Sequence, residues 1–190
     1  MYKQPNHIDF VLPDWLESFA STYTPNSSLE QRMEFVIAAA QKNIEEHTGG
    51  PFSAAVFEIG TGKLVSLGVN LVTTQGLSIL HAEMIALSIA QRKLDSYTLA
   101  GDNMADHELL TSTEPCAMCF GAIPWSGVKH VATAATDPDA RKIGFDEGAK
   151  PGDWVGALEN RNIRVTTEVN REKARLVLQL YSQAGKTIYN

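Results

Sequence analysis

The sequence contains little cysteine, few basic residues and no long apolar run. Only two cysteines, Cys116 and Cys119, occur among its 190 residues. Partners this close in sequence cannot join distant parts of a chain, which excludes a disulfide-stabilised scaffold and favours redox or metal chemistry. The 16 lysines and arginines are outnumbered by 22 aspartates and glutamates, which gives a net charge of −6. This balance argues against a dedicated binder of nucleic acid or of anionic membranes.

The chain also lacks the segments that direct proteins to membranes or to export. No uninterrupted apolar stretch approaches the roughly 20 residues of a spanning helix. Residues 1–16 contain Asp9, Pro13 and Asp14 where a signal peptide has its apolar core. We therefore expect a cytoplasmic protein that makes no membrane contact. The 14 glycines and eight prolines follow no repeat period, which excludes collagen-like and low-complexity chains.

The remaining composition is that of an ordinary globular protein, with 44% apolar and 20% charged residues. No linker-like change in composition interrupts the chain, so residues 1–190 are predicted to form a single domain. An N-terminal helical arm is expected over about residues 1–26, and a C-terminal helix with a tail over about residues 170–190.

The hydrophobic pattern predicts an α/β fold. Ser28 and Gln31 have capping-box spacing ahead of an apolar helical face. Asn170 is expected to cap the last helix and Gly185 to end it. The pattern predicts, between these helices, strands at 53–59, 64–70, 109–113, 128–134 and 163–167 and helices at 80–94 and 117–125. A hairpin followed by alternating helices and strands indicates a mixed sheet with helices on both faces.

Two short motifs carry the chemistry. His81-Ala82-Glu83 opens one predicted helix, and Pro115-Cys116-Ala117-Met118-Cys119 opens another. A catalytic zinc ion takes three protein ligands and keeps an open position, and His81, Cys116 and Cys119 are ligands of the right types. Glu83 lies two residues after the histidine, where it can reach a zinc-activated water without binding the metal. A lone C-x-x-C is otherwise a redox pair or half of a structural zinc site, although no further cysteine is present to complete the latter.

Together the two motifs form the H-x-E…P-C-x-x-C signature of zinc nucleobase deaminases. Over about residues 50–148 the chain resembles the cytidine deaminase superfamily, in particular its branch of guanine and tRNA-adenosine deaminases. The matching segments are Gly50-Pro51-Phe52-Ser53-Ala54, Asn70, the two motifs, Thr111-Ser112-Thr113-Glu114 and Phe120-Gly121-Ala122-Ile123-Pro124-Trp125. The resemblance implies a three-layer α/β/α sandwich with a mixed five-stranded sheet. It also implies one zinc ion per chain, held by His81, Cys116 and Cys119, with Glu83 as the proton shuttle.

The resemblance further implies a substrate. Residues 137–148 are similar to the Ile-Gly-Phe-Asp-Asp loop of bacterial guanine deaminases, with Glu147 in the place of the second aspartate. We therefore expect hydrolysis of guanine to xanthine and ammonia, with Glu147 accepting the N–H groups of the purine edge and relaying protons to the departing amine. A solvated acidic loop is the alternative interpretation of this segment.

Other residues match base-binding positions of the family. Asn70 corresponds to an amide that reads the base edge, and Phe52 and Trp125 to aromatic residues of the pocket. The Ala82 amide, at a helix start, is placed to donate to a base carbonyl. The alternatives are a turn residue for Asn70 and core packing for the two aromatic residues.

The tail beyond the last predicted helix ends in Lys186-Thr187-Ile188-Tyr189-Asn190. In bacterial guanine deaminases a C-terminal segment closes the pocket, often exchanged between the subunits of a dimer. The resemblance therefore implies that Tyr189 covers the substrate, and that the protein is a homodimer with swapped C-terminal segments. A frayed terminus is the alternative.

Three other functions remain open at this point. The first is tRNA adenosine deamination, which the net negative charge disfavours because such an enzyme needs a basic groove for phosphates. The second is deamination of another free amino-heterocycle such as cytosine or an amino-triazine, since the zinc motif does not choose the ring. The third is a non-catalytic zinc module, which predicts a closed coordination sphere in place of three ligands beside a free carboxylate.

Overall fold

A computed structural model describes residues 3–189 and places five strands in one mixed sheet. The strands are β1 (Ser53–Glu58), β2 (Leu64–Val69), β3 (His107–Thr113), β4 (His130–Ala135) and β5 (Arg164–Thr166). Their order is β2-β1-β3-β4-β5, with β1 antiparallel to both neighbours and β3, β4 and β5 mutually parallel. The mixed five-stranded sheet is thus confirmed.

Helices cover both faces of this sheet. They are α1 (Asp14–Ala20), α2 (Leu29–Glu45), α3 (Val72–Gln75), α4 (Ala82–Lys93), α5 (Ala117–Ser126), α6 (Asp137–Lys142), α7 (Trp154–Glu159) and α8 (Arg171–Gln183). One core cluster joins α1, α2 and α8 to the sheet, and a second joins α4, α5 and α7 to its other face. The three-layer sandwich is therefore confirmed. No helix within residues 3–189 is both long enough and apolar enough to cross a bilayer.

The alternation of side chains along the strands explains the two cores. Leu110 packs into the core beneath α2 and Leu109 into the core beneath α4, because successive strand residues point to opposite faces. The β1 residues Phe57 and Val56 divide in the same way. Small residues allow close packing: a Cβ atom at Gly68 of β2 would overlap the α4 backbone at Ala82.

Of the two predicted helix N-caps, the structure confirms Ser28 of α2 and differs at Asn170 of α8. The Ser28 hydroxyl accepts a hydrogen bond from the Gln31 N–H at 3.3 Å and caps α2 as predicted. The prediction of a side-chain cap by Asn170 is wrong. Asn170 is the N-cap of α8 but adopts a left-handed conformation with φ of 57°. Its amide donates to the Glu30 carbonyl at 2.8 Å, which ties α8 to α2.

Three helices were not predicted from the sequence, namely α3, α6 and α7. They span four to six residues each, too few for an apolar period to repeat. Helix α6 occupies the first half of the segment expected to be a loop, and residues 143–153 after it contain no further helix or strand in this described part of the chain.

The ends of several strands and the starts of two helices meet at one edge of the sheet. Ala54 pairs with Thr111 and Ser53 with Val69, so the start of β1 lies beside the ends of β2 and β3. Helices α4 and α5 also begin at this edge, which we call the upper edge. The starts of β3 and β4 lie at the opposite, lower edge.

The N-terminal arm packs on the outside of α2. Phe19 of α1 stacks on Phe35 of α2 with ring centroids 5.0 Å apart. Trp15 donates its indole N–H to the Thr48 hydroxyl at 3.0 Å, just beyond the end of α2.

Candidate metal centre and active site

Three soft ligand atoms converge at the upper edge of the sheet. His81 is the N-cap of α4, Cys116 is the N-cap of α5, and Cys119 lies in the first turn of α5. Their ligand atoms all lie within 4.8 Å of one another, and His81 Nδ1 is 3.4 Å from Cys116 Sγ. Two ligands of one tetrahedral zinc ion are roughly 3.5 Å apart, given metal–ligand lengths of about 2.0–2.3 Å. The donor set and its spacing therefore fit zinc.

Burial and mutual hydrogen bonds shift the pKa values of all three ligand groups. The Cys119 thiol donates to Cys116 and, together with His81, lowers the pKa of Cys116 to about 4 despite burial. The same donated bond, with burial and nearby negative charge, raises the pKa of Cys119 well above its usual range. Burial lowers the pKa of His81, but the neighbouring Cys116 and Glu83 raise it more. Cys116 thus carries thiolate character beside the positive end of α5, whereas Cys119 and His81 each lose a proton when they bind a metal.

Glu83 lies beside the ligands without belonging to their group. It is buried in the first turn of α4, and the Thr111 hydroxyl is 3.4 Å from its Oε1 atom. Burial is the main cause of its raised pKa, with the charge of Cys116 adding to it. A buried carboxyl group with a raised pKa is suited to accept a proton and donate it again.

The site includes a small inner cavity and a wider outer cleft. The inner cavity has a volume of about 20 Å³, which admits one water molecule. It is lined by Phe52, Asn70, His81, Glu83, Thr113, Glu114, Cys116 and Glu147. The outer cleft has a volume of about 320 Å³ and shares His81, Cys116 and Glu147 with it. All eight inner residues come from segments that the sequence singled out.

Glu147 forms part of the wall of both spaces. It is 4% exposed, and its carbonyl accepts a hydrogen bond from the Ala117 N–H at 2.9 Å. Burial, followed by the charges of Cys116 and Glu83, raises the pKa of its carboxyl group to about 8. The structure thus brings Glu147 to the metal group, where the alternative of a solvated acidic loop does not hold.

Three of the other predicted base-binding residues also lie here. Asn70 is buried at the end of β2, and its side-chain oxygen accepts from the Val72 N–H at 3.2 Å, which fixes the amide plane. Ala82 is the first residue of α4, so its N–H has no partner within that helix. The Phe52 ring borders the inner cavity and meets the Phe145 ring edge-on at 4.8 Å.

Trp125 does not join this group. Its side chain is 82% exposed, and it borders neither the inner cavity nor the outer cleft. Trp125 follows Cys116 by nine residues, and at about 100° per residue this places it on the opposite face of α5. The structure therefore does not bring Trp125, which the resemblance placed among the aromatic residues of the pocket, to the cavity of its own chain. Phe145 is the aromatic residue that faces Phe52.

Tyr189 packs beside the inner cavity of its own chain, against Phe145 and Gly50. Its ring lies 5.1 Å from the Phe145 ring, and a Cβ atom at Gly50 would overlap its hydroxyl group. That hydroxyl is buried and has no hydrogen-bond partner among the described residues, and burial raises its pKa well above the usual range. The Tyr181 hydroxyl donates to the Thr187 carbonyl at 2.6 Å and holds the tail in this course.

Sequence reasoning missed a buried amide that supports the site. Asn43 is fully buried in α2 and donates from its Nδ2 atom to the carbonyls of Gly50 and Asn70, both at 2.9 Å. Its own oxygen accepts from the Thr48 hydroxyl at 2.6 Å. Asn43 thus joins the two segments that flank the cavity. A polar residue on the apolar face of a predicted helix was the available signal.

Comparison with known proteins agrees with this geometry. The family model described as the cytidine and deoxycytidylate deaminase zinc-binding region matches residues 26–135, which include the His81 and Cys116 motifs. The guanine deaminase of Bacillus subtilis (strain 168) is 36% identical over 118 residues, or 62% of this chain and 71% of that protein. A tRNA-specific adenosine deaminase of the same organism is 34% identical over 97 residues, and the match spans 56% of its length.

Solved structures extend the similarity to almost the whole chain. The guanine deaminase from Nitrosomonas europaea is 41% identical with a TM-score of 0.89, and the match covers 96% of this chain and 100% of that one. A structure in complex with 2,6-diaminopurine is 43% identical with a TM-score of 0.89, covering 96% of both chains. From the zinc-binding match and this shared fold, the chain belongs to the cytidine and deoxycytidylate deaminase family of zinc-dependent hydrolytic deaminases.

Proposed function

We propose that this protein hydrolyses guanine to xanthine and ammonia. The observation that carries the proposal is the presence of two carboxyl groups without an ion-pair partner among the described residues, Glu83 and Glu147, on one cavity beside the metal ligands. The third carboxyl group on that cavity, Glu114, is paired with Lys150. Two carboxyl groups in different positions can divide the work between proton transfer and recognition of the base. The similar solved chains, one of them a guanine deaminase and others holding 2,6-diaminopurine or 8-azaguanine, support a purine substrate.

His81, Cys116 and Cys119 are the proposed zinc ligands. Zinc at this position supplies a Lewis acid that makes water a nucleophile near neutral pH. Glu83 would accept one proton from the attacking water and deliver it to the ring nitrogen beside the amino-bearing carbon. It would then take the second proton from the hydroxyl group formed on that carbon and deliver it to the departing amine. One C–O bond forms, one C–N bond breaks, and the nitrogen leaves as ammonia.

Glu147, Asn70, Ala82 and Phe52 are proposed to select and orient the base. Guanine presents adjacent N–H donors on one edge, and the two oxygens of Glu147 can accept both. The amide of Asn70 and the N–H of Ala82 are proposed to bind the remaining polar atoms of the ring. Glu147 can also pass a proton to the leaving amine, since it faces the same cavity as Glu83.

The inner cavity is too small for a purine, so base entry requires movement of the residues beside it. A space of about 20 Å³ holds a single water molecule. Phe145 packs on the cavity residue Phe52, and Tyr189 packs on Phe145 with a hydroxyl that is unpartnered among the described residues. We propose that the tail opens to admit the base and then closes to exclude water, with the Tyr189 hydroxyl gaining a partner on the substrate.

The direct test is ammonia release from a panel of bases. Guanine, adenine, cytosine and melamine are compared at equal concentration with the wild-type protein, Glu83→Gln and Glu147→Ala. We expect release from guanine by the wild type and a loss in both variants. Release from cytosine or melamine alone would contradict the guanine assignment and favour another free amino-heterocycle.

The same assay separates the tRNA alternative. An adenosine deaminase that acts on tRNA should release ammonia from an anticodon stem-loop and not from free guanine. Two features of this chain disfavour it, namely the net charge of −6 and a tail that packs beside the inner cavity.

We also propose a cytoplasmic homodimer that serves purine salvage or breakdown. In the structure the tail packs beside the site of its own chain, and exchange of tails would place the same segment on the partner's site. Mixing two inactive variants distinguishes these arrangements: Glu83→Gln, and a deletion of residues 187–190. If tails are exchanged, each mixed dimer has one site with an intact Glu83 and a donated tail, so activity returns. A dimer without tail exchange stays inactive after mixing.

A further inference from the structure

Backbone hydrogen bonds do little to fix the loop that carries Glu147, although its Phe145 ring is buried against Phe52, Tyr181 and Tyr189. Residues 143–153, all within the described part of the chain, form neither helix nor strand, so no ladder of backbone bonds holds them. One backbone bond, from the Ala117 N–H to the Glu147 carbonyl at 2.9 Å, ties the loop to α5. A carboxyl group that must meet a substrate within a few tenths of an ångström needs more support than this.

A buried lysine provides it. The Lys150 side chain is only 6% exposed, although lysine is rarely buried without partners. Its Nζ atom donates to Glu114 Oε2 and to the Pro115 carbonyl, both at 3.1 Å, and lies 3.6 Å from Asp137 Oδ2. The Trp154 ring centroid lies 5.1 Å from the same atom.

These partners connect the loop to the metal-binding turn. Glu114 and Pro115 directly precede the ligand Cys116, and Lys150 follows Glu147 by three residues. Charge-assisted hydrogen bonds in a site of low exposure hold their geometry better than exposed ion pairs do. The ammonium group therefore fixes the spacing between the loop and the start of α5.

A second cation supports the other side of the loop. Arg141 of α6 donates to Asp137 at 2.6 Å, to Asp146 at 3.2 Å and to the Gly148 carbonyl at 3.0 Å. Its side chain is 43% exposed, so its ion pairs are screened by water. The buried Lys150 contacts are the stronger constraint of the two.

We propose that Lys150 is a positioning residue that holds Glu147 at the metal-binding turn and so sets the fit of the base. The inference rests on the proposed role of Glu147 as the carboxylate that reads the purine edge. Lys150 itself does not touch the substrate in this arrangement, because its ammonium group is taken up by Glu114, Pro115 and Asp137.

The test is a double-mutant cycle on guanine turnover, with zinc content and thermal midpoint measured in parallel. We expect Lys150→Met to lower kcat/KM by about 10–100-fold while zinc stays bound. In a Glu147→Gln background the same change should cost less than about threefold, because the group that it positions is already gone. Lys173→Met is the matched control, since it removes a lysine from an exposed pair with Glu34 at 2.6 Å and should leave kcat/KM unchanged.

An equal loss in both backgrounds would overturn the inference and assign Lys150 a general structural role. Full activity of Lys150→Met, or of Glu147→Gln, would overturn it as well. If Lys150→Met does not fold, Glu114→Gln and Lys150→Arg take its place, with the same dependence on Glu147 and a smaller loss. Failure of the proposed function is distinct from these results, because the wild type would then release no ammonia from guanine.

Discussion

Two clusters of buried ionisable side chains lie at opposite edges of the same sheet. At the lower edge, Glu108 of β3 meets Arg32 Nη2 at 2.9 Å and His130 Nδ1 at 2.7 Å, and His130 Nε2 lies 2.9 Å from the Thr166 hydroxyl. At the upper edge, Glu83 and Glu147 are also buried, with 6% and 4% exposed against 2% for Glu108. Neither forms an ion pair in the part of the chain that the structure describes.

The comparison shows that pairing, more than burial, distinguishes a functional carboxyl group from a structural one. The lower cluster gives each oxygen of Glu108 a cationic or imidazole partner, so its charge is compensated within the fold. The upper cluster leaves Glu83 with a raised pKa and Glu147 with a pKa of about 8, both caused first by burial. The negative charge of such a carboxyl group has no cationic partner within the chain, and a bound metal ion or substrate can compensate it.

The largest expected effect is on kcat and comes from replacing Glu83 of the upper cluster with a neutral side chain. Glu83→Gln keeps the shape of the side chain but cannot accept a proton, so we expect kcat to fall by at least roughly 10²–10⁴-fold while zinc stays bound. Ammonia release and metal analysis on the same sample measure both. The matched control is Glu108→Gln, which should keep most of its kcat. Normal turnover by Glu83→Gln would remove the proposed proton shuttle.

The next effect comes from breaking the lower cluster. Arg32→Met leaves the Glu108 carboxylate buried without its cation, and removal of one partner of a buried pair costs about 3–5 kcal/mol. We expect the free energy of unfolding in urea to fall by this amount, with kcat little changed under folding conditions. A loss of kcat at full stability would mean that the lower cluster affects catalysis at the upper edge and is not purely structural.

Most of the fold and the metal centre follow from the sequence because local signals agree with the final structure. The strands alternate between two cores, and the Ser28 cap and the two motif helices lie where the pattern predicts. His81 and Cys116 are 35 residues apart in the sequence, yet both are helix N-caps at one sheet edge. The motif predicted this meeting, and the ligand distances agree with it.

What the sequence could not predict depends on contacts between distant segments. The exposed position of Trp125 follows from which face of α5 packs on the sheet, and the motif match does not specify that face. Phe145 and Lys150 acquire their partners only when residues 143–153 fold over the start of α5. Asn43 is identified as a support only once Gly50 and Asn70 are seen to meet.

A smaller effect is expected from the support that Asn43 gives to the upper edge. Asn43→Asp replaces the amide donor with a carboxyl group that faces the carbonyls of Gly50 and Asn70. We expect a loss of about 1–3 kcal/mol in stability, together with a raised KM for guanine, because Asn70 is no longer fixed. Urea unfolding measures the loss of stability, and steady-state kinetics measure the change in KM. Asn103→Asp, at an exposed asparagine, is the control, and an unchanged KM for Asn43→Asp would leave Asn43 a purely structural role.

The smallest expected effect is on stability and concerns Asp139, a carboxyl group near the upper edge that has an ion-pair partner. It tests whether such a paired group has a structural role, as Glu108 has at the lower edge. Arg171 and Thr136 hold the pKa of Asp139 at about 2, the opposite direction from Glu147. Because the folded pKa lies below the unfolded value of about 3.9, Asp139 stabilises the fold above pH ~4, and this contribution is lost as the pH falls toward 2. Asp139→Asn should therefore be less stable by about 1 kcal/mol at pH 7, after allowance for the partly exposed Arg171, and equal to the wild type near pH ~2. Unfolding curves from pH 7 to pH 2 check this, with turnover at pH 7 unchanged. A difference in stability that stays constant with pH would assign the role of Asp139 to its hydrogen bonds and not to its charge.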